Sequence, residues 1–279
     1  MKYKILFSDY DGTFQKLEWG PEIPPIMIDA VKAYQKAGGK FVLCSGRPLF
    51  SQKLLAKRYG LICDANIACQ GSVVEVDGKI IKNSGIKPEI HNKIIKVLES
   101  FGREYSCFVE GDLYYKGDGD IMKWYLSYYE GNTYRVDDFS KNPKTKDGTF
   151  EKLLVMKSAD EDMSEIVSAI KKECGDALEM NSGAPLILEI VDKSCTKYEA
   201  SKVIAEYFNV AEDDCVTMGD STNDLTLVEF GVGIGVKGGH PDLISAVDYI
   251  APPVEEFPVK KVIDDVIANK DIKEIYKKR

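Results

Sequence analysis

Two aspartates, Asp9 and Asp11, stand at the end of the apolar run Tyr3-Lys4-Ile5-Leu6-Phe7, and Gly12-Thr13 follow at once. Carboxylates this close repel each other unless a cation or a shared proton compensates. The run before them has the length and composition of a buried strand. In parallel sheets, ligand sites lie just past the carboxyl ends of such strands. Alone, the segment reads equally well as a D-G turn closing a strand.

Three further polar clusters tip that balance. Ser45-Gly46-Arg47 follows the apolar run Lys40–Cys44, Lys197 opens a helical pattern, and Asp220, Asn223 and Asp224 follow Cys215–Met218. If the sheet is parallel, the strand-end clusters converge on one edge. Several carboxylates near one point call for a hard cation, and oxygen ligands with few imidazoles suit Mg²⁺. The Ser45 hydroxyl and the cations Arg47 and Lys197 suit a bound phosphoryl group. One carboxylate beside that phosphate is a candidate nucleophile. A second, two residues on, can protonate the leaving oxygen and later activate water.

The elements that must position these residues follow from periodicity. A helix over Pro24–Ala37 buries Met27, Ala30, Val31 and Tyr34 and stops at Gly38-Gly39. Strand Lys40–Cys44, a short helix to Tyr59 and strand Ala65–Cys69 continue the alternation of a doubly wound, Rossmann-like parallel sheet. Val73–Val76 and Lys79–Ile81 read as a hairpin on Asp77-Gly78. Residues 83–184 break the alternation. Helices near Pro88–Phe101, Ile121–Tyr129 and Ala159–Glu173 mix there with short strands at Cys107–Glu110, Leu113–Lys116, Lys152–Lys157 and Leu178–Asn181. This predicts an inserted α+β domain with a mostly antiparallel sheet, and an exposed loop at Lys141–Gly148. The parallel core, residues 1–82 and 185–279, resumes with a strand at Leu186–Val191. A helix then opens on the capping-box pattern Thr196-Lys197-Tyr198-Glu199. Short strands at Val232–Val236 and Tyr249–Ala251 and a helix from Val259 complete the sheet.

Composition sets the class of partner. At 279 residues, 44% hydrophobic and 29% charged, the chain can bury a sizeable core, and a net charge of −8 argues against nucleic acid or an anionic membrane. A small anionic substrate remains compatible, because a metal and a few cations reverse the field locally. The seven cysteines lack any CxxC pair, which points to free thiols in a cytoplasmic setting and not to a disulfide framework or a zinc site. The apolar part of the N-terminus is too short for a signal peptide.

Taken in order, Asp-Tyr-Asp-Gly-Thr, Ser-Gly-Arg-Pro, a lone lysine and Gly-Asp-Ser-x-Asn-Asp resemble the haloacid dehalogenase superfamily of phosphotransferases. The long insert resembles the larger cap of its Cof-like sugar-phosphatase branch. The resemblance spans nearly the whole chain. It implies that Asp9 attacks phosphorus, that Asp11 is the general acid and base, and that Ser45 and Lys197 hold the phosphate, with Gly46, Arg47 and Asn223 in the same binding group. It also implies that Asp9, the backbone carbonyl of Asp11 and Asp220 bind Mg²⁺, supported by Asn223 and Asp224. Two stretches depart from the pattern. Gln70-Gly71-Ser72 stands where many relatives have Asn-Gly-Ala, and Glu255–Val259 replaces a usual Asp-Gly-Val.

Each residue also has an ordinary reading. Lys197 is then a solvated lysine, Arg47 the partner of an acid in the insert, Asp220-Ser221 a helix cap, and Asp224 a helix-terminus acid. Gly233-Ile-Gly-Val-Lys-Gly238 matches a dinucleotide fingerprint but sits late in the chain and lacks the acid that should follow it. Asp118-Gly119-Asp120 lacks the remaining ligands of a calcium loop. His91 and His240 read as surface residues, and the aromatic run Trp124–Tyr129 as a packed helix face. The expected activity is Mg²⁺-dependent hydrolysis of a small phosphorylated metabolite, most naturally a sugar phosphate. A phosphomutase and a low-turnover phospholigand-binding regulator are the competing readings.

Overall fold

The computed structural model describes residues 1–16 and 23–278. The first elements are β1 (Ile5–Asp9), α1 (Pro25–Lys36), β2 (Lys40–Cys44), α2 (Leu49–Tyr59), β3 (Ala65–Ala68), β4 (Val73–Val76) and β5 (Lys79–Asn83). The middle of the chain forms α3 (Pro88–Ser100), β6 (Tyr105–Val109), β7 (Asp112–Lys116), α4 (Asp120–Tyr128), β8 (Thr133–Arg135), α5 (Pro143–Asp147), β9 (Lys152–Met156), α6 (Ser164–Cys174), β10 (Leu178–Ala184) and β11 (Ile187–Asp192). The remainder gives α7 (Lys197–Tyr207), β12 (Cys215–Gly219), α8 (Leu225–Val228), β13 (Val232–Val236), α9 (Pro241–Ala246), β14 (Tyr249–Ala251), α10 (Pro258–Ile267) and α11 (Ile272–Ile275). No helix among the described residues is long and apolar enough to cross a membrane. The chain divides into two compact units, Met1–Ile81 with Thr196–Arg279, and Lys82–Cys195.

The first unit is built on an eight-stranded sheet in the order β14-β13-β12-β1-β2-β3-β4-β5. From β14 to β3 every pair is parallel, and β4 turns antiparallel to β3. β1 shows why its sequence is apolar throughout. Ile5 and Phe7 pack with Ala200, Ile204 and Phe230 on one face, while Leu6 packs with Met27, Val31, Val262 and Ile263 on the other. Helices on both faces leave no polar side for such a strand, and each large side chain fully buried there contributes roughly 1.5–3 kcal/mol. The β4–β5 hairpin turns on Asp77 (φ 49°) and Gly78 (φ 78°), the pair of positive angles that a tight hairpin turn demands.

The second unit carries a six-stranded sheet, β10-β11-β9-β6-β7-β8, antiparallel except between β7 and β8. Helices α3 and α6 cover one face over Tyr105, Cys107, Leu153, Val155 and Ile190. On the other face Met122 of α4 packs with Phe108, Leu113 and Leu154; of the run Trp124–Tyr129, Tyr125, Leu126 and Tyr129 lie against them, whereas Tyr128 is exposed. Three expectations need correction here. The strand at Leu186–Val191 belongs to this sheet, as β11 between β10 and β9, and not to the parallel core. Its apolar run is compatible with either sheet, and only its partners decide. Part of Lys141–Gly148 is helical as α5: Asn142 accepts from the Lys144 and Thr145 amides, and Thr145 is buried.

His91, expected at the surface, is fully buried on α3. Its ring stacks on Phe150 with centroids 3.7 Å apart, and its Nε2 lies 2.8 Å from the Gly148 carbonyl. Nδ1 has no partner among the described residues. Burial lowers the His91 pKa, opposed by the Gly148 carbonyl and by Glu89 and Asp147. A depressed imidazole stays neutral in the fold while the unfolded chain takes up a proton below its ordinary value of 6.5. Stability from this group is therefore complete above that value and is lost as pH falls below it. We expect the thermal midpoint to fall more steeply between about pH 7.5 and 5.5 in the natural protein than in His91→Gln. The extra slope is at most about 1.4 kcal/mol per pH unit for one proton. Parallel pH curves for the two proteins would remove His91 from the account.

Candidate active site

Register explains how distant clusters meet. Asp9 stands beside Cys44, and Cys44 beside Ile67, so the loops after β1, β2 and β3 leave the sheet at one level. On the other side Ser8 pairs with Met218, which puts Asp220 just past the neighbouring strand end. After Asp9 the chain reverses tightly: Phe14 N–H donates to the Asp9 carbonyl and Gln15 N–H to the Tyr10 carbonyl. Gly12 (φ 92°) makes room for the acid opposite, since a Cβ there would stand 2.3 Å from Asp220 Oδ2. Thr13 Oγ1 donates to Asp220 Oδ1 at 2.9 Å.

Lys197 is the centre of the cluster. It opens α7 after Thr196, whose side chain accepts from Glu199 N–H, and only 1% of it is exposed. Its Nζ donates to Asp9 Oδ1 at 2.7 Å and to Asp224 Oδ1 at 2.5 Å. The reading of Lys197 as a solvated lysine is therefore excluded. Asp224 is wholly buried, and its Oδ2 accepts from the Asp220 and Ser221 amides. Ser221 and Asp224 close a capping box: of the pair Asp220-Ser221 only Ser221 caps, Asp224 serves the helix terminus, and that acid also grips the lysine.

Charge in this pocket is unbalanced. Asp9, Asp220 and Asp224 each offer an oxygen, all within 4.8 Å of one another, against one ammonium. Burial raises the Asp9 pKa well above the usual carboxylate range, and Asp224 pushes it further. Burial and Asp224 likewise push Asp220 up to about 6. For Lys197, burial alone would lower the pKa, but Asp224 and Asp9 outweigh it and raise it. All three shifts are upward, and an excess of acid over base contributes to each of them. A divalent cation fits that excess. Asp9 and Asp220 present the oxygens best placed for it, because both Asp224 oxygens are already engaged. Asn223 Oδ1, buried and without a partner among the described residues, is a further oxygen in want of a donor or a metal.

The loop after β2 carries the remaining candidates. Ser45 is buried, and its Oγ accepts from Arg47 N–H at 3.1 Å. Arg47 grips Asp11 with both arms of its guanidinium: Nε donates to Oδ2 and Nη2 to Oδ1, each at 2.7 Å. The expected alternative partner, an acid of the insert, is replaced by the second aspartate of the motif itself. The Arg47 guanidinium also stands 5.3 Å from the centre of the Tyr10 ring. Gly46 faces the side chain of Gln70, whose Nε2 would lie 2.6 Å from a Cβ at that position. Gln70 belongs to a left-handed run, Cys69 (φ 49°), Gln70 (φ 60°) and Gly71 (φ 108°). Each non-glycine residue held so costs about 1–3 kcal/mol. Sequence reasoning noted Gln70 only as a departure from a motif, and it gave Gly12 and Thr13 no task. The close approach of Gly12 and the hydroxyl of Thr13 directly after the aspartate pair were the available signals.

Comparison with known proteins gives the family and the fold. The model of the haloacid dehalogenase-like hydrolases matches residues 6–263. A Bacillus subtilis (strain 168) protein named "Putative phosphatase YxeH" is 24% identical over 281 residues, covering 96% of this chain and 100% of its own. Among solved structures, TM0651 from Thermotoga maritima superposes with a TM-score of 0.81 at 23% identity, covering 94% of this chain and 97% of that one. A structure titled for the HAD subclass IIB sugar phosphatase BT4131 gives 0.76 at 20% identity, over 94% and 98% of the two chains. With the doubly wound sheet, the acid pair at the end of its first strand and the family match across nearly all its length, the chain belongs to the haloacid dehalogenase-like hydrolases, in their Cof-like branch.

Proposed function

We propose that the protein is a Mg²⁺-dependent phosphatase that hydrolyses a small phosphorylated metabolite, a sugar phosphate, in the cytoplasm. One observation carries the reading: Asp9, a buried carboxylate at a strand end, is held by a buried lysine inside an acidic cluster. Such a carboxylate is oriented, dry and close to the charges that a phosphoryl group needs. The likeness to the sugar phosphatase BT4131 supports the substrate class. The seven cysteines, none of them in a disulfide, support a reducing compartment.

In this mechanism Asp9 attacks phosphorus through a carboxylate oxygen, and the bond to the ester oxygen breaks. Asp11 gives that oxygen a proton and the alcohol leaves. Asp11 then takes a proton from water as the water oxygen attacks the aspartyl-phosphate, which frees inorganic phosphate and restores Asp9. Lys197 and Ser45 hold the phosphoryl oxygens, and Asn223 supports them. Asp9, the Asp11 carbonyl and Asp220 would hold Mg²⁺, with Asp224 orienting Lys197 and the loop behind them. When bound, the ion neutralises charge on the phosphoryl oxygens. Asp11 meets one condition first: with both oxygens engaged by Arg47, it serves the leaving oxygen only after that pair loosens. An incoming phosphate is the natural competitor for the guanidinium.

Phosphate release from a panel of phosphorylated metabolites tests the reading. Full activity is expected with Mg²⁺, and at least a roughly 100-fold loss after EDTA, reversed by adding the ion back. An undiminished rate in metal-free buffer would remove Mg²⁺ from the site. No release from any substrate by folded, Mg²⁺-loaded protein would remove the phosphatase reading.

A further inference from the structure

We infer that Gln70 selects the leaving group, its side-chain amide bonding a hydroxyl next to the phosphorylated carbon of a polyhydroxylated substrate. The inference rests on the phosphatase reading of the same site and adds to it the feature that distinguishes one phosphate ester from another.

Position comes first. Asp9, Cys44 and Ile67 stand side by side across β1, β2 and β3. Gln70 lies three residues past Ile67, and its amide nitrogen rests against Gly46, two residues past Cys44. Both therefore lie beyond the level of Asp9 along the strand direction. In-line displacement puts the leaving oxygen on the side of phosphorus away from the attacking carboxylate, so the leaving group extends outward from Asp9 toward this loop.

The loop is also fastened to both phosphate-holding segments. Cys69 N–H donates to the Arg47 carbonyl at 3.1 Å, and Gln70 N–H lies 3.4 Å from the Ser45 carbonyl. Gly71 packs so closely on the residue before Lys197 that a Cβ there would stand 2.3 Å from the Thr196 carbonyl oxygen. Gln70 is thus held between the loop bearing Ser45 and the helix start bearing Lys197, and it is only half-buried.

Conformation and chemistry agree. Two successive non-glycine residues in the left-handed region are a strained arrangement, and such strain persists where the surroundings over-determine it. Glycine would relieve it at position 70, yet a long carboxamide stands there. The phosphoryl group already has cations nearby, and a neutral amide adds no charge to them. What the amide offers is one donor group and one acceptor, the complement of a hydroxyl that is itself both. A site built around such a bond discriminates sharply against substrates that lack the hydroxyl.

The test compares hexose and pentose phosphates with p-nitrophenyl phosphate, which presents no hydroxyl near the ester. Gln70→Gly removes the side chain and suits the backbone angle, and Gln70→Asn keeps a shorter amide that tolerates the same angle. For the best sugar phosphate, kcat/KM relative to p-nitrophenyl phosphate is expected to fall about 10- to 100-fold in Gln70→Gly, and by less in Gln70→Asn. Reading the ratio cancels general damage to catalysis. An unchanged ratio in an active Gln70→Gly protein overturns the inference and leaves the phosphatase reading intact. Silence of the natural protein toward every ester overturns that reading, and this inference with it.

Discussion

Asp9→Asn is expected to reduce phosphate release by on the order of 10,000-fold or more, the scale of losing a covalent nucleophile, without loss of the fold. An amide has the shape of the carboxyl it replaces, and its oxygen can still accept from Lys197 Nζ, 2.7 Å away in the natural protein. What it lacks is the charge and the nucleophilic oxygen. The cluster holds more acid than base, and burial together with Asp224 already disfavours the ionised form of Asp9. Removing that charge relieves repulsion, so the melting temperature in metal-free buffer should be unchanged or higher. The combination is diagnostic: a purely structural aspartate would lose stability along with activity, whereas a nucleophile confined in a crowded site loses activity alone. Phosphate release and thermal unfolding measured on one preparation decide it. Residual turnover above about a hundredth of the natural rate would sink the nucleophile assignment.

The site was legible to the extent that its residues follow strands. Asp9, Ser45 and Asp220 each come directly after a run whose apolar content marks it as buried, and a parallel sheet brings such ends together. The pairings β1 with β2 and β12 do this. Side-chain partners are harder to read. Nothing in the spacing says that Arg47 grips Asp11, 36 residues away, or that Thr13 holds Asp220. Lys197 looks like any first-turn lysine until α7 is laid against β3 and β4, which buries the start of the helix. Strand ownership fails for a related reason. Leu186–Val191 has an apolar pattern that either sheet accepts, and only hydrogen bonds to β9 and β10 assign it. His91 misleads because histidine is intermediate in burial and its type alone does not place it, and its place against Phe150 depends on a residue 59 positions on.

Lys197→Met separates the two tasks that the structure gives this lysine. Its ammonium bonds two of the three acids that converge within 4.8 Å, and both of these carboxylate partners are almost wholly buried. Breaking a buried ion pair from one side leaves uncompensated charge and costs about 3–5 kcal/mol, a large share of a typical domain's stability. The single variant should therefore unfold far more readily in metal-free buffer, and Mg²⁺ bound to the same acids should restore part of the loss. Lys197→Met with Asp224→Asn removes one charge of each sign, so it should regain much of the lost stability. It should not regain activity, because phosphoryl oxygens would still lack the ammonium, a deficit of roughly 100- to 1,000-fold in kcat. Recovery of stability without recovery of turnover is the expected result. If the single variant is as stable as the natural protein, the buried pair is not what holds these loops. If the double variant hydrolyses at the natural rate, Lys197 serves only as a counter-charge to Asp224, and the phosphate must be held elsewhere.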